Sequence, residues 1–599
     1  MKPEGKIIVL DFGSQYTHLL ARRVRELGVY SEIMPPTAPA SKLKKAKGII
    51  LSGGPQSVYD KDAVPFNPKI FSLKIPVLGL CYGQQLIAQE LGGRVEQGET
   101  REYGTAEMTA KESQLFSGLP TRFRVWMSHG DKVNKLPKGF ENTGSTRDCE
   151  NAAVADESRK IFGLQFHPEV THTEHGLKII SNFVFTVCGC KKNWSMENYL
   201  GQKMGEVKEQ ARDKNVFLLL SGGVDSTVCL ALLDKALGPE RIHALHVDTG
   251  FMRKGESKLV KKELEKLGIK EIHILDASLG FMGALEGITE PEEKREIIGQ
   301  LFIDLAIEEL NNLSFDTETW LIGQGTIYPD TIETGGTRHA KKIKTHHNRA
   351  PVILEMIKKG LVIEPLNQLY KDEVRELGRL LGLPDSLVER HPFPGPGLAI
   401  RILCSKGKEE YDKKLKEDIN KAILGEGFTA KVLPVKAVGV QGDNRTYSNV
   451  AMLEGPLNYD IAEKVSTQIT NSFASVNRVV FLLKPEKIKS MELEEAYLSK
   501  ERIERLREAD SIAMKLLVES GLHKEVWQFP VVLLPINFNG DGQGVVLRPV
   551  YSREAMTARF AKLSPTVLNE MVEKISKIRG IGAVMLDVTH KPPATIEWE

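Results

Sequence analysis

A cysteine at a strand-to-helix turn is the first feature of this chain suited to chemistry. Gly79-Leu80-Cys81-Tyr82-Gly83 follows the apolar Ile75-Pro-Val-Leu-Gly-Leu80 and precedes the helical pattern Gln84-Gln-Leu-Ile-Ala-Gln-Glu90. That is the layout of a nucleophile elbow with Cys in place of Ser. The glycines permit the sharp turn, and the positive end of the helix favours the thiolate, which is the attacking species. A base is supplied by Phe166-His167-Pro168-Glu169, just beyond the apolar Ile161-Phe-Gly-Leu164. There His167 can relay the thiol proton while Glu169 orients its ring. Backbone N–H groups near Ser52-Gly53-Gly54-Pro55 and at Tyr82 are candidates for an oxyanion hole, with Gly54 and Tyr82 the named positions.

A second chemical feature is Ser221-Gly222-Gly223-Val224-Asp225-Ser226-Thr227, which follows Val216-Phe-Leu-Leu-Leu220 and opens a helix. Its backbone N–H groups can cradle phosphate at the positive end of that helix. It lacks the Gly-Lys-Ser/Thr of a Walker A loop. At the end of the next strand, His246-Val-Asp248-Thr-Gly250 reads either as a plain turn or as a nucleoside contact through Asp248.

The elements that must position these groups form an α/β series. From residue 6 to about 190, short apolar runs alternate with helical patterns, the βαβ signature of a mostly parallel sheet. A second α/β series runs from Val216 to the cluster Pro392-Phe-Pro-Gly-Pro-Gly397. The last 200 residues carry a weak repeat. One copy opens with Val432-Leu-Pro-Val-Lys and Gly442-Asp443, the other with Leu533-Leu-Pro-Ile-Asn and Gly540-Asp541, and each passes through a helix to a final strand and a Lys-Pro pair. The expected domains are 1–190, 195–398 and 399–599, the last with α+β units at about 430–490 and 530–599.

Bulk composition fits this division. At 599 residues the chain exceeds what one core can serve. No uncharged apolar run approaches the roughly 20 residues of a membrane span, and the N-terminal Met1-Lys-Pro-Glu-Gly-Lys reads as the lead into a strand and not as a signal peptide, so a cytosolic protein is expected. With 81 basic and 79 acidic residues there is no basic stripe of a nucleic-acid binder. The six cysteines are scattered without zinc-site spacing, and all except Cys81 read as ordinary buried thiols.

Residues 6 to 190 resemble the class I glutamine amidotransferases, through the motifs above together with Asp11-Phe-Gly-Ser-Gln15 and Met127-Ser-His-Gly-Asp131. The resemblance implies a flavodoxin-like glutaminase in which Cys81, His167 and Glu169 release ammonia through a glutamyl thioester. Residues Ser221 to Thr227 resemble the loop of a Rossmann-like ATP pyrophosphatase, which implies cleavage of ATP between the α and β phosphates and adenylation of an acceptor oxygen. The two sites alone leave the acceptor open between a carboxyl and a purine. A nucleotide-binding scaffold is a further reading, opposed by the intact motifs.

Across nearly its whole length the chain is similar to the GMP synthetase family, through Pro291-Glu-Glu-Lys-Arg295, Gln324-Gly-Thr-Ile-Tyr-Pro-Asp330, Lys344-Thr-His-His-Asn348, His391 to Arg401, Gly442-Asp443-Asn-Arg445 and Lys591 to Glu599. The resemblance implies adenylation of XMP at O2 and its amination to GMP. Arg295, Asp443, Gln528, Lys591, Ile596 and Glu597 would contact XMP, residues 221–227 and Asp248 would hold ATP, and Mg²⁺ would bridge the phosphates with Asp225 as its candidate ligand. The implied partners are glutamine, ATP and XMP, with no nucleic acid or membrane, in a monomer or homodimer. The tandem C-terminal pair resembles the family's longer members, in which a first copy can stand in for a second subunit. Lys341 to His347, with Gly335-Gly336 upstream, reads either as a lid over phosphates or as an exposed charged loop.

Overall fold

The computed structural model describes residues 5–14, 16–61, 63–266, 268–269, 272–312, 316, 318–330, 356–357, 359–407, 412–441, 444–552 and 558–599. The segment 341–347 and Asp443 lie outside them. The chain forms two compact units, one of Met1–Glu206, Thr326–Arg349 and Leu366–Leu380, the other of Val207–Gly325, Ala350–Pro365 and Leu381–Glu599.

In the first unit a nine-stranded sheet has the order β2-β1-β3-β4-β9-β8-β7-β5-β6. Its parallel half is β1 (Lys6–Leu10), β2 (Ser31–Met34), β3 (Ala46–Leu51), β4 (Val77–Leu80) and β9 (Ile161–Leu164). Strands β1, β4 and β9 are buried along their whole length, which is why they read as unbroken apolar runs. Helix α1 (Thr17–Glu26) turns Leu20, Ala21 and Val24 inward, and α2 (Tyr82–Glu90) packs on β4. The other half is antiparallel: β5 (Arg94–Ala110), β6 (Arg122–Lys135), β7 (Glu141–Ser145) and β8 (Ala153–Asp156). The sheet is therefore parallel over five strands only. β6 alternates buried and open positions because one of its faces meets water.

The second unit contains a five-stranded parallel sheet in the order β12-β11-β10-β13-β14, made of β10 (Asn215–Leu219), β11 (Ile242–Asp248), β12 (Ile272–Asp276), β13 (Trp320–Gly323) and β14 (Val362–Ile363). Strand order reverses between β10 and β13, so a crevice opens at their C-terminal ends, the usual ligand position in such sheets. Helix α3 (Val224–Leu237) starts there, and α4 (Pro291–Asn312) joins the core through Ile298.

A seven-stranded sheet completes this unit. Strands β15 (Thr429–Gln441), β16 (Asn444–Glu454) and β17 (Val476–Lys484), with α5 (Tyr459–Ser472), form one ββαβ run. After β18 (Met491–Leu493), a second run comprises β19 (Val531–Phe538), β20 (Gln543–Leu547), α6 (Pro565–Ile575) and β21 (Ile581–Asp587). The order is β15-β16-β17-β21-β20-β19-β18, so the final strands of the two runs lie antiparallel side by side at the join.

Candidate functional site

Three strand ends build the cysteine site. β3, β4 and β9 are neighbours, and the register pairs Leu80 with Leu164, so Cys81 and the segment carrying His167 leave the sheet side by side. Cys81 takes φ 50° and ψ −106°, the strained geometry of an elbow, and its N–H donates to Leu164 O at 2.7 Å. Glycine is obligatory around it: a Cβ on Gly79 would lie 2.4 Å from Gly83 O, and one on Gly83 would lie 2.5 Å from Leu51 O.

His167 Nδ1 lies 2.8 Å from Glu169 Oε1, and both residues are buried. Burial pulls the imidazole pKa down, but the Glu169 charge and hydrogen bonds to Cys81 and Glu169 outweigh it and lift the value to about 10. A proton can thus pass between thiol and ring with its charge compensated. Gly54 comes close to Phe12 O, where a Cβ would stand 2.8 Å away, and Tyr82 opens α2, so its N–H has no partner inside the helix.

The structure adds contacts that local motifs do not carry. Gln165 Nε2 reaches the Cys81 sulfur at 3.6 Å, and the thiol faces Ser128 O at 3.5 Å. Tyr16 sets its ring edge-on to His167 at 5.1 Å, and Arg23 Nε donates to Glu169 O at 3.0 Å. The sequence signal for Gln165 is an amide directly after the apolar run Ile161–Leu164 and two residues before His167, and the structure buries it fully. The other thiols differ in kind: burial pushes Cys149 up to about 12 and Cys190 to about 11, and also raises Cys188 and Cys229, while Cys404 is half-buried.

The candidate phosphate loop, Ser221 to Thr227, lies at the C-terminal end of β10, in the crevice of the parallel sheet. Gly222 stands at φ 76°, and the Ser221 and Ser226 hydroxyls are 3.0 Å apart, which pins the turn. Thr227 Oγ1 is buried without a hydrogen-bond partner among the described residues, as a hydroxyl reserved for a ligand would be. A Cβ on Gly325, after β13, would meet Ser226 N at 2.9 Å, so the two loops close on each other. Asp248 accepts from Gly250 N at 2.9 Å and Ser257 Oγ at 2.8 Å, so its carboxylate shapes the following turn.

The residues expected around XMP converge only in part. Glu597 takes a bidentate grip from Arg401, at 2.7 and 3.0 Å, and accepts from Gln528 at 3.0 Å. Ile596 O accepts from Arg548 Nε at 3.0 Å. Arg295 pairs with Glu292 at 2.8 Å and donates to Glu599 O. Lys591 is held by backbone bonds to Ala558 in both directions.

Beneath this tail lies a buried network that reading the sequence missed. Asp587 receives Arg478 and Arg548, each at 2.7 Å, and the Trp598 indole N–H at 3.1 Å. Burial works against its charge, but the two guanidiniums hold its pKa below the usual carboxylate range. Lys294 Nζ reaches Glu599 at 3.1 Å, yet burial still raises the Glu599 carboxyl to about 7.

Comparison with known proteins gives three family matches: residues 8–187 to glutamine amidotransferase class-I, 515–598 to the GMP synthase C terminal domain, and 215–298 to the queuosine biosynthesis protein QueC. The probable glutamine-hydrolysing GMP synthase of Leptospira interrogans (strain Fiocruz L1-130) is 44% identical over 603 residues, covering 99% of each chain. The glutamine-hydrolysing GMP synthase of Lactobacillus acidophilus is 46% identical over 504 residues, 80% of this chain and 96% of that one. The Enterococcus faecalis protein of the same name is 44% identical over 503 residues.

Proposed function

The chain belongs to the glutamine-hydrolysing GMP synthases, and we propose from that premise how its residues divide the work. The overall reaction is amination of XMP to GMP with ATP and glutamine, a carbon–nitrogen ligation. In our reading the thiol proton rests on His167, Cys81 attacks the glutamine amide, and His167 gives that proton to the departing ammonia. Glu169 holds the ring, and the N–H groups of Gly54 and Tyr82 receive the oxyanion. Water then frees glutamate from the thioester. The observation that carries this is the Cys81 elbow at φ 50° with His167 set 2.8 Å from Glu169 at the adjacent strand end.

Residues Ser221, Gly222, Gly223, Val224, Asp225, Ser226 and Thr227 would take the ATP phosphates, and Asp248 would shape the nucleoside side of that pocket. Asp225 and Thr227 offer hard oxygen donors of the type Mg²⁺ prefers, so a magnesium ion accompanying ATP would be held there and would neutralise phosphate charge. Arg295, Asp443, Gln528, Lys591, Ile596 and Glu597 form the proposed XMP set, supported for Gln528 and Glu597 by their mutual bond at 3.0 Å. We assign 1–190 to glutamine hydrolysis, 195–398 to adenylation and 399–599 to XMP binding. A monomer suffices in this reading, and no helix among the described residues is long and apolar enough to cross a membrane, which suits a cytosolic enzyme.

The test follows XMP consumption with ATP and Mg²⁺, supplying either glutamine or ammonium, in wild type and Cys81→Ala. Loss of the glutamine-driven rate with retention of the ammonium-driven rate is expected. Equal loss of both would overturn the division of labour.

A further inference from the structure

Two histidines and a glutamate meet at the end of the parallel sheet opposite the phosphate loop. His243 is the second residue of β11 and His273 the second of β12, whereas the loop follows the C-terminal end of β10. The register sets Phe217 beside His243 and Leu245 beside His273. Residues two apart on a strand share a face, so both imidazoles stand on one side of the sheet. α4 adds Ile298, Leu301, Phe302 and Leu305 to the apolar cluster that holds Phe217 and Leu245, and it brings Glu309 to the two rings.

One carboxylate oxygen serves both imidazoles. Glu309 Oε1 lies 3.0 Å from His273 Nδ1 and 3.9 Å from His243 Nε2, and the three ligand atoms all fall within 4.8 Å of one another. Tetrahedral zinc, with bonds of about 2.1 Å, requires ligand atoms roughly 3.4 Å apart. The first two separations bracket that figure, and the ring of His273, whose side chain is 51% exposed, has room to close the third. The His243 ring is already fixed, stacked on Phe217 at 5.8 Å and edge-on to Trp320 at 6.4 Å. Asn312 Nδ2 approaches the other carboxylate oxygen at 3.5 Å, the outer contact that orients a ligating Glu. A groove of about 280 Å³ lined by Leu275, Phe281, Leu305 and Glu309 opens beside the carboxylate.

We propose that His243, His273 and Glu309 bind a divalent transition-metal ion of the zinc class, with water in the open positions. Two imidazoles and a carboxylate suit zinc and cobalt rather than the all-oxygen shell of magnesium. Bound there, the ion would staple β11, β12 and the C-terminal turn of α4. The N-terminal turn of α4 carries Lys294 and Arg295, so the ion would steady the helix that reaches the C-terminal tail.

The experiment titrates the chelator-treated full-length protein with Co²⁺ in excess Mg²⁺, reading the visible d–d absorption and tryptophan quenching. Trp320→Phe identifies the quenched residue. The expected result is one equivalent of Co²⁺ without a thiolate charge-transfer band, displaced by Zn²⁺, with affinity falling about tenfold or more in His273→Ala and Glu309→Gln. Far-ultraviolet circular dichroism checks that each variant is folded, and His273→Asn replaces His273→Ala if the latter is not. No Co²⁺ binding by the wild type would reduce the cluster to a His–Glu ion pair. Undiminished binding by the folded variants would place the ion elsewhere. Either result overturns the proposal.

Discussion

His167 holds its proton because Glu169 stands beside it, and this has a sign that can be checked. An unperturbed imidazole titrates near about 6.5. Here it is lifted to about 10. The protonated ring therefore contributes stability in full below about pH 6.5, and that contribution is lost as pH rises through the folded value. Thermal denaturation from about pH 7 to about pH 10 is expected to fall more steeply for the wild type than for Glu169→Gln. The same substitution should depress glutamine-driven turnover and leave ammonium-driven turnover intact. The three residues of the proposed triad were legible because each sits in a short motif at a strand end. Tyr16 and Arg23 were not, because each reaches the site from outside those motifs, and Ser128 lay in the motif Met127–Asp131 without an assigned contact.

The elbow depends on two elements fitting without side chains between them. Since a Cβ on Gly79 would meet the backbone of Gly83 at 2.4 Å, Gly79→Ala must push β4 and α2 apart. We expect a stability loss of about 1–3 kcal/mol, read by denaturant titration, with loss of glutamine-driven turnover. Within the first unit, α1 is tied to the helix Lys371–Leu380 by Arg25, which meets Glu373 at 3.1 Å and lies 4.8–5.3 Å from the ring centres of Tyr30, Trp194, Tyr328 and Tyr370. Glu373→Ala removes the counter-charge of that buried guanidinium and leaves it Ser31 O and Gln368 O as acceptors, and a shift in the denaturation midpoint equivalent to about 3 kcal/mol is expected, followed by circular dichroism. The parallel strands were readable from their apolar runs. Arg25, Arg478 and Arg548 stand in no motif, and Arg401 only at the end of one, because their buried partners lie far away in the chain.

At the scale of the whole molecule, the two ββαβ runs share one sheet through β17 and β21, pairing Val480 with Asp587 and Phe481 with Leu586. The repeat was visible in the sequence, but this join was not, since no local pattern specifies which strands meet about a hundred residues apart. If the intramolecular join takes the place of a subunit contact, specific activity is independent of enzyme concentration and the chain sediments at 66.7 kDa. A rise in specific activity with concentration would instead point to an obligate dimer. The join also changes what substitution can do to the two halves. In a symmetric pair of identical chains every replacement appears on both sides of the axis. Here each copy has its own codons, so one half can be optimised for ligand contact while the other is kept as a support, and a change that suits one role need not be tolerated in the other.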